Sequence, residues 1–270
     1  MRALPLRISR RFLSEYKARG FWGCIDLILK LPRKLLRNKT YSEMLQLSSN
    51  AQKFQEIYDK NVWQSDESAS GLSSEFQYTE SIRSWLTENI PKYNVREIVD
   101  APCGDFNWMK YVVQDLEVKY TGLDIIESVI ERNKSSYETD NVRFAPFDLC
   151  SEVIPDTDLI ICRDCLFHLS FSDISDVLRN FSRSNYKFLL TTTHVTGPDF
   201  ANYDIVSGDF RYIDLLKPPF SFDKKAVLST APDSPPDTEI AREMILLAKR
   251  DVPTSFYLGF WFLTVAVLCF

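Results

Sequence analysis

The stretch VREIVDAPCGDFNWMKYVVQDLEVKYTGLD, residues 95–124, decides the fold. VREIVDA (95–101) is a short apolar run closed by turn residues, which reads as a strand. DFNWMKYVVQDL (105–116) follows with helical periodicity, and VKYTGLD (118–124) is a second strand. Strand, helix and strand in about 30 residues make a βαβ unit, whose two strands lie parallel.

The alternation continues downstream. SVIERNKSSY (128–137) reads as a helix, VRFAPFDL (142–149) and DLIICRD (158–164) as strands, SDISDVLRNFSRS (172–184) as a helix and KFLLTTTH (187–194) as a strand. Upstream, Leu47, Ala51, Phe54 and Tyr58 share one face of a helix expected over 41–58. A Ser- and Gly-rich loop follows at 61–76, then a helix marked by Tyr78, Ile82 and Leu86 that stops near Pro91. The fold class is therefore α/β: a Rossmann-like sheet with helices on both faces, an N-terminal helical extension and mixed strands near the C-terminus.

The whole chain has 270 residues, 45% hydrophobic and 26% charged, which excludes disorder and a coiled coil throughout. Six irregularly spaced cysteines do not make a disulfide framework, so a reducing, cytoplasmic setting is expected. The net charge of −5 divides unevenly: residues 1–40 hold 11 Lys/Arg against two acids, and the rest is strongly acidic. An acidic body disfavours nucleic acid as a partner. Three segments result: a basic amphipathic arm (1–40), a main domain (41–250) and a hydrophobic tail (251–270). In the arm, Phe21, Ile25, Ile28 and Leu29 share a helical face and Pro32 closes the helix. It either lies in a membrane interface or packs on the body, with a transit peptide as a lesser alternative. Residues 256–270 carry no charge. As a helix they span about 22 Å against a hydrocarbon core of about 30 Å, which favours a buried final element or a peripheral membrane contact over a tail anchor.

Parallel sheets bind ligands beyond the carboxyl ends of their strands. Asp100 closes the first strand, Gly104 opens the following helix region, and Asp124 ends the second strand 20 residues after Gly104. A carboxylate at that place takes both hydroxyls of a ribose. A dinucleotide would need G-x-G-x-x-G, because its pyrophosphate rests on bare backbone. Here the run is P-C-G-D-F-N, and Asp105 would repel phosphate. S-adenosylmethionine has no phosphate and carries an ammonium and a sulfonium, so Asp100 and Asp105 favour it over NAD(P). The simpler role for Asp105 is a helix N-cap. Cys162 and Cys165 form C-x-x-C without a second pair, which fits core packing and not a metal site. Of the two histidines, His168 follows the fourth strand and His194 ends the fifth. Each either packs or acts on the acceptor. The aromatic segment 210–222 serves equally as core or lid.

The order DAPCGD (100–105), GLDI (122–125), FDL (147–149) and LIICRDCLFHLS (159–170) resembles the class I S-adenosylmethionine-dependent methyltransferases. More narrowly it is similar to a poorly characterised branch with a CGDFNW loop (103–108), through IYDKNVW (57–63), SASGLSS (68–74), Thr79, RDCLFHLS (163–170) and RYIDLLKPPF (211–220). The match spans roughly 54–250. The resemblance implies that Asp100, Ala101, Cys103 and Gly104 line the methionine moiety, with Asp105 beside them. It puts Asp124 on the ribose, Ile125 on the adenine, and Asp148 and Leu149 at the adenine edge. Arg163 and Asp164 would stand beside the methyl group, and Trp63, Ser70 and Gly71 would close over the site. Pro102 and Phe106 depart from the family by standing where many members have Gly.

These readings predict an enzyme that methylates a small-molecule or glycan acceptor, with His168, Asp164 and His194 as catalytic candidates and no metal. Its rivals are a non-catalytic, membrane-tethered cofactor-binding protein and an NAD(P)-dependent oxidoreductase.

Overall fold

The computed structural model describes residues 41–234, 238 and 240–256. The readings made of the arm at 1–40 and of the tail beyond Phe256 lie outside these residues. The chain divides between Leu47 and Ser48 into two units. Of the first, 41–44 are helical and 45–47 form turns.

The second unit begins with α1 (Asn50–Asp59), so the single helix expected over 41–58 is interrupted. The cause is local: the Ser49 hydroxyl accepts a hydrogen bond from the Gln52 amide and starts a new helix there. The buried residues of α1 are Ile57 and Tyr58, and Phe54 packs beside Tyr58, Ile126 and Val129, while Ala51 of the expected face is exposed. Two 3-10 turns, Leu72–Ser74 and Phe76–Thr79, lead into α2 (Glu80–Lys92), which carries Pro91 in its last turn instead of stopping before it.

From β1 (Glu97–Asp100) the elements alternate: α3 (Met109–Asp115), β2 (Lys119–Asp124), α4 (Glu127–Tyr137), β3 (Val142–Pro146), β4 (Leu159–Cys162), α5 (Phe171–Arg183) and β5 (Phe188–His194). β6 (Val227–Pro232) and β7 (Arg242–Ala248) complete a seven-stranded sheet of order β3-β2-β1-β4-β5-β7-β6. β1 to β5 run parallel to one another, whereas β7 runs antiparallel to both β5 and β6. The strand order reverses between β1 and β4, the switch point where such sheets bind ligands. Because β7 is antiparallel, its first residue, Arg242, pairs with the last residue of β5, His194. Arg242 thus arrives at the same sheet edge as the ends of the parallel strands.

Neighbouring strand residues point to opposite faces, and both faces are covered. On one, Val99, Ile160, Leu189 and Ile245 pack with Ile174, Val177, Leu178 and Phe181 of α5. The β5–β6 connection finishes this face with Ile213, Leu215, Phe220 and Phe222, although its described residues form no α-helix. On the other, Ile98, Ile161, Leu190 and Leu246 meet Ile82 and Leu86 of α2, Met109 and Val112 of α3, and Ile130 of α4. Phe256 packs edge-on against Phe171 and Phe220, with ring centroids 6.0 and 4.8 Å away. No described helix is long and apolar enough to cross a membrane.

Phe106 adopts φ +58°, a left-handed conformation that disfavours L side chains, yet its ring is buried against Tyr120, Phe144 and Tyr137 at 4.9, 5.1 and 5.4 Å. Aromatic packing from β2, β3 and α4 therefore holds a turn whose backbone conformation favours glycine. Gly122 makes the space. A Cβ there would lie 2.6 Å from the Phe144 ring and 3.0 Å from Cys103 Sγ. Gly122→Ala is expected to destabilise the fold by about 1–3 kcal/mol through overpacking, read as a lower urea midpoint with an unchanged slope. Phe144→Leu in the same chain should recover part of the loss.

Candidate active site

A cleft of about 660 Å³ opens at the carboxyl ends of the parallel strands. It is lined by Trp63, Ser70, Gly71, Asp100, Cys103, Gly104, Asp105, Asp124, Ile125, Asp148, Leu149, Arg163, Asp164 and His168, all singled out from the sequence. Ala101 is buried behind the wall, where its amide donates to the Ile161 carbonyl, 2.9 Å. His194 is not among the lining residues. Its ring is packed among Phe167, Phe210 and Tyr212, and burial pushes its pKa down to about 4.

The floor is built on Asp124. Its Oδ2 accepts from the Gly104 amide at 3.0 Å and its Oδ1 from the Ile126 amide at 2.9 Å. The ends of β1 and β2 are thereby tied together, with one lone pair on each oxygen left over. Gly104 has φ +56°, and a Cβ there would collide with the Ser70 hydroxyl, so glycine serves both backbone and space. Asn133 of α4 braces the loop by donating to the Gly104 carbonyl, 2.8 Å. Asp100 takes one hydrogen bond from the Tyr120 hydroxyl, 2.8 Å. Burial pushes the Asp100 carboxyl up to about 7, against the lowering effects of Tyr120 and Arg163. Burial raises Asp124 to about 6, against its backbone hydrogen bonds.

Asp105 is not a helix cap, since α3 starts four residues later. Its carboxylate instead accepts from Ser68 Oγ (2.9 Å), the Ala69 amide (2.9 Å) and Ser70 Oγ (3.2 Å). Its own amide donates to Ser70 Oγ, 3.1 Å. Asp105 therefore latches the 61–79 segment over the cleft. A second latch joins Ser73 Oγ to Asp164, 2.8 Å, and Arg163 Nη2 to the Ser73 carbonyl, 2.8 Å. Asp148 is occupied in its own turn, accepting from the Cys150 amide at 2.9 Å and Ser151 Oγ at 3.1 Å.

Beyond β4 lies a charged network. Arg163 binds Asp233 through Nε and Nη2 at 3.0 and 2.9 Å, both side chains buried. Asp164, at φ +52°, meets Arg242 Nη1 at 3.0 Å and receives the Ser73 hydroxyl. Burial would raise the Asp164 carboxyl, but Arg163 and Arg242 hold it below the usual carboxylate range. His168 Nδ1 lies 2.8 Å from the Asp209 carbonyl. A carbonyl only accepts, so Nδ1 carries the proton and Nε2 is the basic nitrogen. The imidazole is oriented by that carbonyl and not by Asp164. Burial lowers its pKa, so it is neutral at pH 7.

Several lining residues were not singled out from the sequence: Phe54 and Tyr58, read as a packing face; Asn50; Trp108; and Arg242. Arg242 carried no sequence signal, because its place depends on the antiparallel pairing of β7. Phe210 lines the cleft and is 46% exposed, while Phe220 and Phe222 are core, so the aromatic segment serves as both wall and core. Cys162 is core and Cys165 lines the cleft. Among the described residues no group of His, Cys, Asp and Glu is arranged to hold a metal ion.

Asp105→Ala should free the 61–79 segment. Charge-assisted hydrogen bonds contribute about 1.5–3 kcal/mol, so hydrogen exchange at the Ala69 amide should accelerate at least tenfold while exchange in β1 and β4 stays unchanged. Equal protection in the variant would refute the latch.

No family model matches the chain, and no curated protein matches it. Among solved structures it is similar to magnesium protoporphyrin IX methyltransferase from Synechocystis PCC 6803. The form with bound SAM gives a TM-score of 0.53 at 12% identity, covering 75% of this chain and 98% of that one. The form with bound SAH gives 0.51 at 12% identity, covering 74% and 99%. At such identity the likeness is one of fold: this chain has the Rossmann-like fold of the S-adenosylmethionine-dependent methyltransferases.

Proposed function

We propose that the chain is a methyltransferase that moves a methyl group from S-adenosylmethionine to a hydroxyl of a small-molecule or glycan acceptor, and that it falls in the CGDFNW branch of class I. One observation carries the reading: two buried carboxylates, Asp100 and Asp124, face one cleft across Gly104, and no lysine or arginine comes from the glycine loop to neutralise them. A buried carboxyl pushed up to about 7 is an incomplete ion pair. An ammonium or sulfonium completes it, and a pyrophosphate would worsen it. The residues therefore fit S-adenosylmethionine and do not fit a dinucleotide.

In this reading Asp100, Cys103 and Gly104 receive the methionine moiety and Asp124 uses its remaining lone pairs on the ribose hydroxyls. Ile125 and Leu149 flank the adenine, with Asp148 at its edge. When bound, S-adenosylmethionine supplies an electrophilic methyl carbon attached to a sulfonium. His168 Nε2 takes the proton that the acceptor hydroxyl loses. Asp164 positions Arg242 and the Ser73 latch. The 61–79 segment, with Trp63, Ser70 and Gly71, keeps water from the reacting atoms. His194 supports Phe167 and Phe210 from behind.

Two measurements test this. Binding of a cation requires ionised Asp100, so affinity for S-adenosylmethionine should rise with pH up to about pH 7 and then level off. The slope below that is about tenfold per pH unit for one released proton. Calorimetry at pH 6 in two buffers of different ionisation heat should register the released proton; a pH-independent affinity removes the assignment. Asp124→Ala should weaken binding at least tenfold.

His168→Ala should lower transfer of labelled methyl into a metabolite and glycan extract by about 10²–10⁴-fold, leaving cofactor affinity nearly unchanged. His194→Ala should do less. Acceptors are recognised by a mass gain of one methylene. Near-normal transfer by the His168 variant would overturn its role.

A further inference from the structure

The three carboxylates of the cleft are kept there by different means, and Asp100 by the slightest. Asp124 accepts from two backbone amides, and Asp164 faces two arginines and a serine hydroxyl. Among the described residues, one side chain donates a hydrogen bond to Asp100: the Tyr120 hydroxyl, 2.8 Å from Oδ2. Arg163 also acts on Asp100 through its charge, but its Nε and Nη2 are bound to Asp233 and its Nη1 lies 3.5 Å from Asp164. Asp124 of β2 opposes the Asp100 charge. Cys103 of the glycine loop is a thiol that burial pushes up, so it stays neutral beside them.

The strand register brings Tyr120 and Asp100 together. Ile98 pairs with Tyr120, and Asp100 pairs with Gly122. Residues two apart share a face of a strand, so Tyr120 rises on the face that carries Ile98 and Asp100. Gly122, the next residue of β2 on that face, has no side chain to separate the phenol from the carboxylate. The Tyr120 ring packs against Phe106 and Phe144, with centroids 4.9 and 6.0 Å away, and is 1% exposed. The hydroxyl is thereby fixed in place. Burial and the Asp100 charge push its pKa up, so it remains a donor. Asp100 lines the cleft and Tyr120 does not, so Tyr120 acts on a bound molecule through Asp100.

We propose that Tyr120 is a positioning residue for the cofactor: its hydroxyl holds Asp100 in the charged form to which a cationic methionine end binds. This rests on the S-adenosylmethionine reading above and names the side chain that tunes it. A hydrogen bond donated to a carboxylate favours the ionised form. Without it, Asp100 keeps its proton to higher pH, and binding must first displace that proton.

The test uses the full chain carrying isotope-labelled aspartate, whose carboxyl carbon resonance reports ionisation of Asp100 in the absence of ligand. The Asp100 signal is identified by its loss in Asp100→Asn. Tyr120→Phe keeps the ring and removes the hydroxyl, and it should raise the Asp100 midpoint by about one pH unit or more. By calorimetry, the variant should bind S-adenosylmethionine about tenfold more weakly than the unsubstituted chain at pH 6 and within about twofold of it at pH 8.5. In an Asp100→Asn background the same substitution should change affinity by no more than about twofold, because the two side chains act as one unit. Replacing Tyr120 with 3-fluorotyrosine, whose more acidic phenol is the stronger donor, should move the midpoint downward. A packing defect does not produce that shift, and it decides the matter should the phenylalanine variant fail to fold. An Asp100 midpoint that stays put in these variants, or an affinity loss equal at both pH values, would overturn the proposal. A midpoint that moves as expected in a chain that binds no S-adenosylmethionine at either pH would remove the cofactor reading itself, and this inference with it.

Discussion

Three carboxylates at the ends of three neighbouring strands, Asp100, Asp124 and Asp164, are drawn into one cleft, and the local structure follows from how each is kept there. Buried like charges repel, and each must find donors or take up a proton. Asp124 is held by two backbone amides, which shapes the loop at Gly104. Asp164 is held by two arginines and a serine, which draws β7 and the 61–79 segment to the site. Asp100 has the Tyr120 hydroxyl and the field of Arg163, and its carboxyl stays near neutrality. The least compensated of the three thus stands at the switch point of the sheet, where a cationic ligand gains most from binding.

The cap uses the same economy of donors. Asp105 would add a fourth negative charge, but its oxygens are turned to Ser68, Ala69 and Ser70. One residue of the glycine loop therefore closes the roof while its neighbour Gly104 forms the floor. The β5–β6 connection plays the corresponding part on the other side. Its backbone receives the His168 ring at Asp209, and the Gly208 amide donates to the His168 carbonyl, 2.8 Å. Its Ile213 and Leu215 lie in the core, so the wall is anchored to the sheet without a helix.

Much of this was legible in the sequence, for reasons that particular residues make plain. VREIVDA and VKYTGLD are apolar runs long enough for buried parallel strands, and a parallel strand places its last residue at the ligand edge; Asp100 and Asp124 could be read without any tertiary information. His168, at the turn after β4, was legible in the same way. Asp105 was legible as a polar residue at a loop but not in its role, because its partners lie 35 to 37 residues upstream in a segment with no periodicity. Phe54 and Tyr58 had the spacing of a packing face, and nothing in that spacing tells a cleft from a core. His194 ends a strand just as Asp124 does, yet Phe210 and Tyr212 from the irregular connection enclose it.

Arg242 shows why the end of the cleft assigned by the proposed reading to the acceptor resists sequence reading more than the end assigned to the cofactor. The side proposed for the cofactor is assembled from consecutive βα turns, so sequence neighbours become neighbours in the site. The side proposed for the acceptor takes Arg163 and Asp164 from just after β4, His168 from the turn that follows, Phe210 from the β5–β6 connection, Asp233 from just after β6 and Arg242 from the start of β7. Only the antiparallel insertion of β7 between β5 and β6 brings the last two to the ligand edge, and that pairing leaves no local trace. An arginine heading an apolar strand, REMILLA, looks like a solvated strand end until its partners Asp164 and Asp233 are known. In the proposed reading, a scaffold of this kind can keep its βα turns, and so its cofactor, while the far strands and the connection between them change the acceptor.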